Sequence, residues 1–360
     1  MIYLGEKHIH AVGLHWQELA DRIENAVHVM DSGDYAQPVK PYLRYGGKAA
    51  NKAANRIIAM PAYVGGSMHT AGIKWIASFP GNLQIGLPRA HSLLVLNDAD
   101  TGKPYAIVHA SLPSAARTAA VSAVLLRHYL HARSVQHSSS THRIRLGIIG
   151  FGPVGQLHYD MCAQLFGETI DEAYVYDIRG VELEASDLSA AVATDTATDT
   201  TADAATDAIG ARKKVELLGR TKVADSWEQL YSRCNVIITC TVSDRRYIHL
   251  PPLPGSLLLD VSLRDYASSA LNGVTAIVVD DWDEVCRENT DIELLHKERG
   301  LVKEGTRSLA DVVCRSALAG FDPAEPVLFC PMGMAVFDIA TADYWVQKAR
   351  ELGIGLEIED

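Results

Sequence analysis

A glycine-rich turn between an apolar run and a helical pattern is the feature that most constrains how this chain folds. The short apolar run RIRLGIIG (143–150) is typical of a strand buried on both faces of a sheet. The turn GFGPVG follows it and opens PVGQLHYDMCAQLF (153–166), which has a helical pattern. A strand, a GxGxxG turn and a helix in this order predict a dinucleotide-binding βαβ unit.

Each glycine of the turn has its own steric reason in such a unit. Gly150 allows the tight turn, Gly152 lets the backbone approach a pyrophosphate, and Gly155 lets the helix pack closely on the strand. Pro153 and Val154 begin the helix, whose free N–H groups hold an anion. We therefore predict that these five residues bind a dinucleotide cofactor.

An acidic residue after the next strand predicts which dinucleotide binds. Asp177 ends the predicted strand AYVYD (173–177), 22 residues beyond Gly155. Its carboxylate accepts hydrogen bonds from a ribose diol and repels a 2′-phosphate, which favours NAD over NADP. Arg179 lies close enough along the chain to weaken this preference. We expect NAD as the cofactor.

Alternating strand and helix patterns continue beyond the turn. Three apolar runs follow, NVIITCT (235–241), SLLLDVS (256–262) and AIVVDD (276–281), with a helical pattern around SWEQLYSR. This alternation predicts an α/β fold with a doubly wound parallel sheet. We predict that residues 126–334 form this Rossmann domain. At about 183–210 the domain contains a segment dominated by Ala, Thr, Asp and Ser. We interpret it as the end of a helix and a solvated, low-complexity insertion.

The rest of the chain has a different pattern. Short strand-like pieces, separated by glycines, prolines and the turn NDADTGKP, occupy much of the first 125 residues and lead into the helical pattern SAARTAAVSAVLLRHYLHARS. The chain ends with a helical pattern, FDIATADYWVQKARELG, and a strand, GLEIED. We predict that residues 1–125 and 335–360 form a second, mainly β α+β domain, with the Rossmann domain inserted in it.

Composition and charge narrow the classes of partner. The chain has 33 Lys and Arg residues against 44 Asp and Glu residues, a net charge of −11. Because nucleic-acid binding needs a basic surface, we expect no such partner. No apolar run reaches the roughly 20 residues of a membrane helix, and the first residues lack the pattern of a signal peptide. We therefore expect a cytoplasmic protein without a membrane partner.

Cysteines and histidines indicate neither a disulfide framework nor a metal site. The six cysteines are scattered without a CxxC pair, which suits a reducing cytoplasm. The 14 histidines include no HExxH motif, and His8 and His10 stand two residues apart. We interpret this pair as exposed residues of a strand and expect no structural metal.

Three basic residues in the first domain have unusual surroundings. Arg44 lies in PYLRYG, Lys74 in AGIKWIASFPGN and Arg117 in SAARTAA, the last two among small and apolar neighbours. For any one of them, exposure to solvent from a strand or helix is a sufficient explanation. Three such cations in one domain favour a pocket for a substrate carboxylate.

Longer motifs resemble those of a known family over nearly the whole chain. The chain is similar to the ornithine cyclodeaminase/mu-crystallin family, which includes archaeal-type alanine dehydrogenases. The similarity lies, in family order, in AMPAYVGG, AGIKWIASFPGN, LLVLNDADTGKPYAIVHASLPSAARTAAVSA, GFGPVGQ, CTVSD and LFCPMGMAVFDIATA.

One branch of this family shares two further segments with the chain. IASFPGN and VSLRDY are most similar to the siderophore-pathway branch. Enzymes of that branch oxidise N-(2-amino-2-carboxyethyl)-L-glutamate with NAD and release 2,3-diaminopropionate and 2-oxoglutarate. The resemblance therefore implies an NAD-dependent amino-acid dehydrogenase with a small-molecule substrate. It also implies a homodimer that forms through the first domain.

The resemblance implies roles for particular residues of that domain. Lys74 and Arg117 bind the substrate carboxylate, and Lys74 also takes part in catalysis. Arg44 and Met60 belong to the same pocket. Ile58 stands two residues before Met60, where ornithine cyclodeaminases carry a glutamate, and this difference disfavours ornithine as substrate.

Further roles fall on the Rossmann domain. Asp265, in LRDY, takes the place of the family's catalytic aspartate and is implied to be the general base that activates water. Arg264 beside it, together with Arg56, suits a substrate with more than one carboxylate. Thr241 and Val242, in CTVSD, are implied to contact the cofactor.

Three other functions remain open from the sequence alone. A cyclodeaminase returns the hydride to its substrate and consumes no NAD, whereas an alanine dehydrogenase-type enzyme releases NADH. The crystallin branch shows that a non-catalytic dinucleotide-binding protein is also compatible with the family. Measurement of NADH formation, of product without NADH, or of binding without turnover separates these alternatives.

Overall fold

The computed structural model of the chain describes residues 1–44, 55–136, 143–183 and 202–359. These residues form two compact units. The first comprises Met1–Leu14, Asp21–Arg117 and Gly333–Asp360, and the second comprises His15–Ala20 and Thr118–Met332.

An eight-stranded, largely antiparallel sheet forms the first unit. The sheet order is β16-β1-β7-β6-β5-β4-β2, with β3 also paired to β4. Its strands are β1 (Ile2–Leu4), β2 (Tyr35–Ala36), β3 (Tyr42–Leu43), β4 (Arg56–Val64), β5 (Thr70–Ser78), β6 (Ala90–Asp98), β7 (Pro104–His109) and β16 (Leu356–Glu357).

The helices associated with this sheet include the last helix of the chain. They are α1 (Glu6–Val12), α2 (Trp16–Asp31), α3 (Ser111–Gln136) and α10 (Ala335–Glu351); the start of α2 and all of α3 after Arg117 belong to the second unit. Side chains alternate along β4, and those at every second position from Ile58 to Val64 are buried. Helix α10 packs on β4, β5 and β6. One face of the sheet is therefore covered by α10.

A parallel, doubly wound sheet forms the second unit, which confirms the predicted fold class. The sheet order is β10-β9-β8-β11-β12-β15-β13-β14, and every recorded pairing within it is parallel. Its strands are β8 (Ile144–Ile149), β9 (Ile170–Tyr176), β10 (Thr221–Val223), β11 (Val236–Thr239), β12 (Leu257–Asp260), β13 (Ala276–Val279), β14 (Arg307–Ser308) and β15 (Val327–Cys330).

Strand β8 lies where the strand order of this sheet reverses. Its neighbours are β9 on one side and β11 on the other. Ligands of such folds bind beyond the carboxyl ends of the strands at this switch point. The helices of the unit are α4 (Pro153–Phe166), α5 (Ala202–Leu218), α6 (Trp227–Tyr231), α7 (Trp282–Val285), α8 (Asp291–Arg299) and α9 (Leu309–Arg315).

One expectation from the sequence is wrong. His8 and His10 lie on helix α1, where Gly5 is the N-cap residue and its N–H donates to Nδ1 of His8 at 3.0 Å. The apolar positions Ile9 and Val12 are three residues apart and face the core, so the helical period outweighs the short alternation.

The insertion predicted at about 183–210 lies largely outside the described residues. Residues 184–201 lie outside the described part of the chain, but from Ala202 the backbone is helical and forms α5. Alanine has the highest helix propensity, and α5 packs on α4. The biased composition therefore does not exclude a helix in the last part of this segment.

Two general properties of the chain follow from the same coordinates. All six cysteines are free thiols. Over the described ranges, no helix combines the length and the apolar composition that a membrane span requires.

Candidate functional site

The glycine turn has the geometry that a dinucleotide requires. Gly150 has a φ of +90°, and a Cβ atom there would lie 2.7 Å from the carbonyl group of Cys240. A Cβ on Gly155 would lie 2.1 Å from the carbonyl oxygen of Gly150, so only glycine lets α4 approach β8 this closely. Gly152 is the N-cap residue of α4, and no side chain of the described residues caps that end. The helix N-terminus is therefore available to a pyrophosphate.

Asp177 is anchored beside this turn rather than extended into solvent. Its Oδ2 accepts a hydrogen bond from the N–H of Phe151 at 2.9 Å. Arg179 donates from Nε to Oδ1 and from Nη2 to Oδ2, both at 2.9 Å. The Arg179 hydrogen bonds hold the pKa of Asp177 below its usual range. The carboxylate lies beside the glycine turn, and Arg179 neutralises its charge; its role in binding a ribose stays a prediction.

Asp265 is buried in the second unit and tied to two hydroxyl groups. Thr241 Oγ1 donates to its Oδ1 at 2.6 Å, and Ser262 Oγ donates to its Oδ2. Burial raises the pKa of Asp265, while these two hydrogen bonds and Arg264 oppose the rise. A carboxylate whose pKa is raised toward neutrality suits general acid–base catalysis.

The other predicted residues near this aspartate have distinct surroundings. Arg264 donates from Nη2 to the carbonyl oxygen of Glu288 at 2.9 Å. Val242 is 70% exposed. Thr241, predicted as a cofactor contact, is linked directly to Asp265, and its N–H donates to Ser262 Oγ at 3.2 Å. The structure therefore joins Thr241 and Asp265, two residues to which the sequence assigned separate roles.

In the first unit, Lys74 and Arg117 converge on one buried carboxylate that sequence reasoning missed. Lys74 Nζ and Arg117 Nε lie 2.7 and 2.8 Å from the same oxygen, Oδ1 of Asp338. The side chains of Lys74 and Asp338 are 1% and 0% exposed. Asp338 lies in the first turn of α10, and its Oδ2 has no hydrogen-bond partner among the described residues. The solvent-facing explanation of Lys74 is therefore wrong.

Burial changes the proton affinity of this lysine. Desolvation lowers the pKa of Lys74 to about 7; Asp338 opposes this effect, and Arg117 adds to it. The Asp338 carboxyl keeps a pKa below its usual value because Arg117 and Lys74 outweigh its own desolvation. Lys74 therefore changes charge near neutral pH, the property that a proton-transfer group needs.

A third basic residue, also missed from the sequence, lies near this cluster. Lys40 is 4% exposed, donates from Nζ to the carbonyl oxygen of Gly333 at 2.5 Å, and lowers the pKa of Lys74 through charge repulsion. Gly333 has a φ of +83°, and a Cβ atom there would lie 2.6 Å from Nη1 of Arg117. Glycine at this position leaves room for Arg117.

The structure brings Met60 to this cluster but places Arg44 differently. Met60 on β4 is the direct cross-strand partner of Lys74 on β5 and is 4% exposed. Arg44 is exposed, and its guanidinium carbon lies 4.9 Å from the ring centroid of Tyr42. Arg56 lies over the same ring at 5.6 Å. The roles predicted for Arg44 and Arg56 in binding substrate remain predictions.

Comparison with known proteins agrees with the motifs. The model of the ornithine cyclodeaminase/mu-crystallin family matches residues 7–215. The N-((2S)-2-amino-2-carboxyethyl)-L-glutamate dehydrogenase of Staphylococcus aureus is 32% identical over 359 residues, which cover 99% of this chain and 97% of that protein.

Two solved structures share the fold. The Δ1-pyrroline-2-carboxylate reductase of Thermococcus litoralis, in complex with NADH and L-proline, has a TM-score of 0.73 at 21% identity and covers 99% of this chain and 100% of its own. An archaeal alanine dehydrogenase dimer with bound NAD has a TM-score of 0.72 at 21% identity. The match covers 100% of this chain and 99% of the alanine dehydrogenase chain.

The first prediction concerns cofactor selectivity. Replacing Arg179 with Ser removes the cation that neutralises Asp177, so its charge opposes a 2′-phosphate more strongly. We expect the ratio of kcat/KM for NAD to that for NADP to rise about five- to tenfold, the scale of one charge-assisted interaction. Asp177→Asn should lower the ratio, and an unchanged ratio in both variants contradicts the assignment.

The second prediction concerns stability and pH. The folded-state pKa of Lys74, about 7, lies below its ordinary value of 10.5. The unfolded chain therefore binds more protons between these values, and this lysine makes unfolding less favourable as pH rises. We expect the unfolding free energy of the parent to rise relative to Lys74→Met by about 2 kcal/mol between about pH 7 and pH 9.

Urea unfolding at each pH measures this difference. The matched control is Lys303→Met, which removes a lysine whose side chain is 63% exposed. The control should follow the parent across the range. A pH-independent difference between the parent and Lys74→Met is the result that contradicts the prediction.

Proposed function

This chain is an NAD-dependent enzyme of the ornithine cyclodeaminase/mu-crystallin family, and we propose that it is a dehydrogenase that oxidises and hydrolyses N-(2-amino-2-carboxyethyl)-L-glutamate. The products are L-2,3-diaminopropionate and 2-oxoglutarate. We place the reaction in the cytoplasm, in the synthesis of a precursor for a siderophore or another secondary metabolite.

The observation that carries this proposal is the buried basic cluster of the first unit. Lys74 and Arg117 are both less than a tenth exposed and contact the same carboxylate oxygen, Oδ1 of Asp338, and the buried Lys40 lies near enough to lower the pKa of Lys74. A buried charge needs a partner, and the two cations Lys74 and Arg117 share the single carboxylate of Asp338. A substrate carboxylate supplies the missing negative charge through charge-assisted hydrogen bonds.

The neighbouring side chains favour this substrate over a diamine such as ornithine. Ile58, where ornithine cyclodeaminases carry a glutamate, is 9% exposed on the same strand as Met60. An isoleucine offers no counter-charge to a distal amine. The Staphylococcus aureus relative, whose name gives the proposed substrate, supports the same choice.

The residues around the glycine turn fit NAD. Gly150, Gly152 and Gly155 leave room for the pyrophosphate at the N-terminus of α4, and Asp177 lies beside the turn for the adenosine ribose. When bound, NAD accepts a hydride from the substrate carbon that carries the secondary amine on the glutamate side. That oxidation leaves a C=N bond in the substrate.

Asp265 and the basic cluster carry the remaining steps. Lys74, Arg117 and Arg44 hold the carboxylates and thereby orient the reacting carbon. Asp265 takes a proton from water while the water oxygen bonds to the imine carbon and the electron pair of the C=N bond moves to nitrogen. The nitrogen takes the proton held by Asp265, which completes the carbinolamine. The C–N bond then breaks with its electron pair moving to nitrogen, the hydroxyl proton passes to that nitrogen as the C=O bond forms, and the keto acid and the free amine of 2,3-diaminopropionate result.

The exposed face of the sheet in the first unit supports a homodimer. The side chains of Trp75 on β5 and Leu93 on β6 are cross-strand partners and are 46% and 44% exposed. Ala59, Ile73 and Val95 occupy further positions on the same face. An apolar sheet face of this kind is typical of an interaction surface. The dimeric alanine dehydrogenase that shares the fold supports a second copy as the partner.

The third prediction tests the reaction. The parent, given NAD and the proposed substrate, should form NADH and 2-oxoglutarate in equal amounts. Lys74→Met should lower kcat/KM about ten- to a hundredfold because a charge-assisted hydrogen bond to the substrate disappears. Asp265→Asn should leave KM near the parent value and lower kcat about a hundredfold or more, because the base is gone.

Absorbance of NADH and an assay for the keto acid measure these outcomes. Lys303→Met again serves as the control for loss of a lysine. Cyclised product without net NADH identifies a cyclodeaminase, and NAD binding without turnover identifies a non-catalytic protein. Either result contradicts the proposed reaction.

The fourth prediction tests the dimer. Trp75→Glu places a charge in the centre of the apolar face, and burial of an unpaired charge is costly. We expect the parent to sediment as a dimer at micromolar concentration and Trp75→Glu as a monomer. Val302→Glu, at a residue 50% exposed in the second unit, should remain dimeric. A monomeric parent refutes the prediction.

A further inference from the structure

Two buried aspartates on either side of the Asp265 loop take no part in the reaction described above. Asp260 ends strand β12, and Asp291 begins helix α8. Their exposed fractions are 0% and 1%. Buried carboxyl groups outside a binding pocket need a structural or catalytic reason, because desolvation opposes their charge.

Hydrogen bonds from the loop backbone provide one reason. The N–H of Leu263 donates to Asp260 Oδ1, and the N–H of Tyr266 donates to Asp291 Oδ2, both at 2.9 Å. The N–H of Asp291 in turn donates to the carbonyl oxygen of Leu263 at 2.8 Å. Asp265 lies between the two residues whose amides are held. The carboxyl pair therefore fixes the backbone on both sides of the proposed base.

The backbone of this loop needs such support. Leu263 has a φ of +67°, in the left-handed region that residues with a Cβ atom rarely adopt. That conformation is unfavourable relative to ordinary backbone, because Cβ crowds the following carbonyl oxygen. The N–H of Leu263 donates to Asp260, and its carbonyl oxygen accepts from the N–H of Asp291. Both polar backbone groups of this residue therefore have a partner.

The surroundings of the two aspartates differ in charge. Arg246 donates from Nε to Asp291 Oδ1 at 2.6 Å, so Asp291 has a cation in contact. Asp260 instead accepts from Thr239 Oγ1 at 3.2 Å, and the Cys330 thiol lies 3.4 Å from its Oδ2. Both aspartates are buried and hydrogen-bonded to the backbone of the same residue, Leu263, and Asp291 raises the pKa of Asp260, so the pair holds a proton more readily than two separate carboxyl groups.

Charge places that proton on Asp260. Burial, with Asp291 and Asp265 nearby, raises the pKa of Asp260, whereas the pKa of Asp291 rises only to about 6 because Tyr266 and Arg246 oppose its desolvation. The titratable and charged groups that face the pair are Asp265, Cys330, Tyr247, Tyr266 and Arg246, with Asp280 and Arg264 farther out.

We propose that Asp260 and Asp291 share one proton as a buried acid–carboxylate pair and that this pair positions Asp265 for proton transfer. Asp260 is the neutral member and donates its proton to Asp291. The proposal rests on the proposed function in one respect, the role of Asp265 as the base. Asp260 and Asp291 are positioning residues, since they act through the loop and not on the substrate.

An infrared difference spectrum tests the shared proton without any substrate. At neutral pH the parent should show the C=O stretching band of a protonated carboxyl group that Asp260→Asn lacks. The matched control is Asp160→Asn, since Asp160 is equally buried but lies 3.0 Å from Lys214 Nζ in an ion pair. The control should keep the band. If the C=O band of the protonated carboxyl group is still present in Asp260→Asn, the proposal is overturned.

Kinetics test the positioning role. The amide of Asp260→Asn reproduces both the acceptor for Leu263 and the donor to Asp291, so kcat and KM should stay within about twofold of the parent. Asp291→Asn removes the anion that pairs with Arg246, which keeps its hydrogen bonds to the carbonyl oxygens of Asn289 and Thr290. We expect kcat to fall about tenfold or more with KM little changed, because small displacements of a catalytic group are costly.

The pH profile separates positioning from a general loss of structure. Loss of the Asp291 charge should move the acid limb of kcat to lower pH, because Asp265 then ionises more readily. NAD binding near the parent value shows that each variant is folded. Equal losses in Asp260→Asn and Asp291→Asn, or an unmoved acid limb in Asp291→Asn, overturn the proposal.

Failure of the proposed function has a different signature. If the parent forms no NADH from the proposed substrate, the infrared measurement still locates the proton. The measurements of kcat and KM are then made with NAD and either alanine or proline, according to which of the two amino acids the parent oxidises.

Discussion

Burial of the Lys74 ammonium is the constraint on which the first unit depends. A lysine in the middle of a buried sheet face is unstable without a counter-charge, and Asp338 supplies it. Asp338 lies in the first turn of α10, so this ion pair ties the last helix of the chain to the centre of the sheet. Arg117 joins the same oxygen from the start of α3. One carboxylate thus holds together segments that are more than 200 residues apart in the sequence.

In the second unit, close approach of backbone to backbone is the constraint at the glycine turn. The turn at Gly150 and the contact of Gly155 with the carbonyl of Gly150 set the distance between β8 and α4. The same unit ends β12 at Asp260 and begins α8 at Asp291, and both residues hold the loop around Asp265. The glycines shape the turn that fits the cofactor. The two carboxyl groups fix the loop that carries the proposed base.

Much of the fold was predictable because its signals are local. Helix α4 has the predicted bounds, 153–166, since the glycine turn and Pro153 mark its start. The strands β8, β9, β11, β12 and β13 all overlap the predicted apolar runs, although β11, β12 and β13 are shorter than those runs and β9 begins earlier. Short strands escaped prediction: β10 and β14 have only three and two residues, and β15 was noticed only as part of a family motif.

The partners of the candidate site were less accessible to sequence reasoning. Lys74 and Arg117 stood out because a cation among apolar neighbours is unusual. Asp338 did not, because an aspartate in the first turn of a helix is common and favoured by the helix dipole. Lys40 and Asp291 likewise have ordinary local sequences, and only the tertiary fold brings them to a buried position. Thr241 was predicted to contact the cofactor because it lies in a family motif, but the motif does not indicate its hydrogen bond to Asp265.

Leu263 gives the Asp265 loop an anchor of a second kind. Its side chain is 6% exposed and belongs to the apolar core of the second unit, although its backbone is left-handed. A glycine would adopt that backbone without strain but would leave the unfolded loop with more conformational entropy and no apolar contact. Apolar burial does not titrate, so the leucine keeps the loop in place while the surrounding carboxyl groups gain or lose protons. A fall in pH can therefore change the charge around Asp265 while the loop that carries Asp265 keeps its conformation.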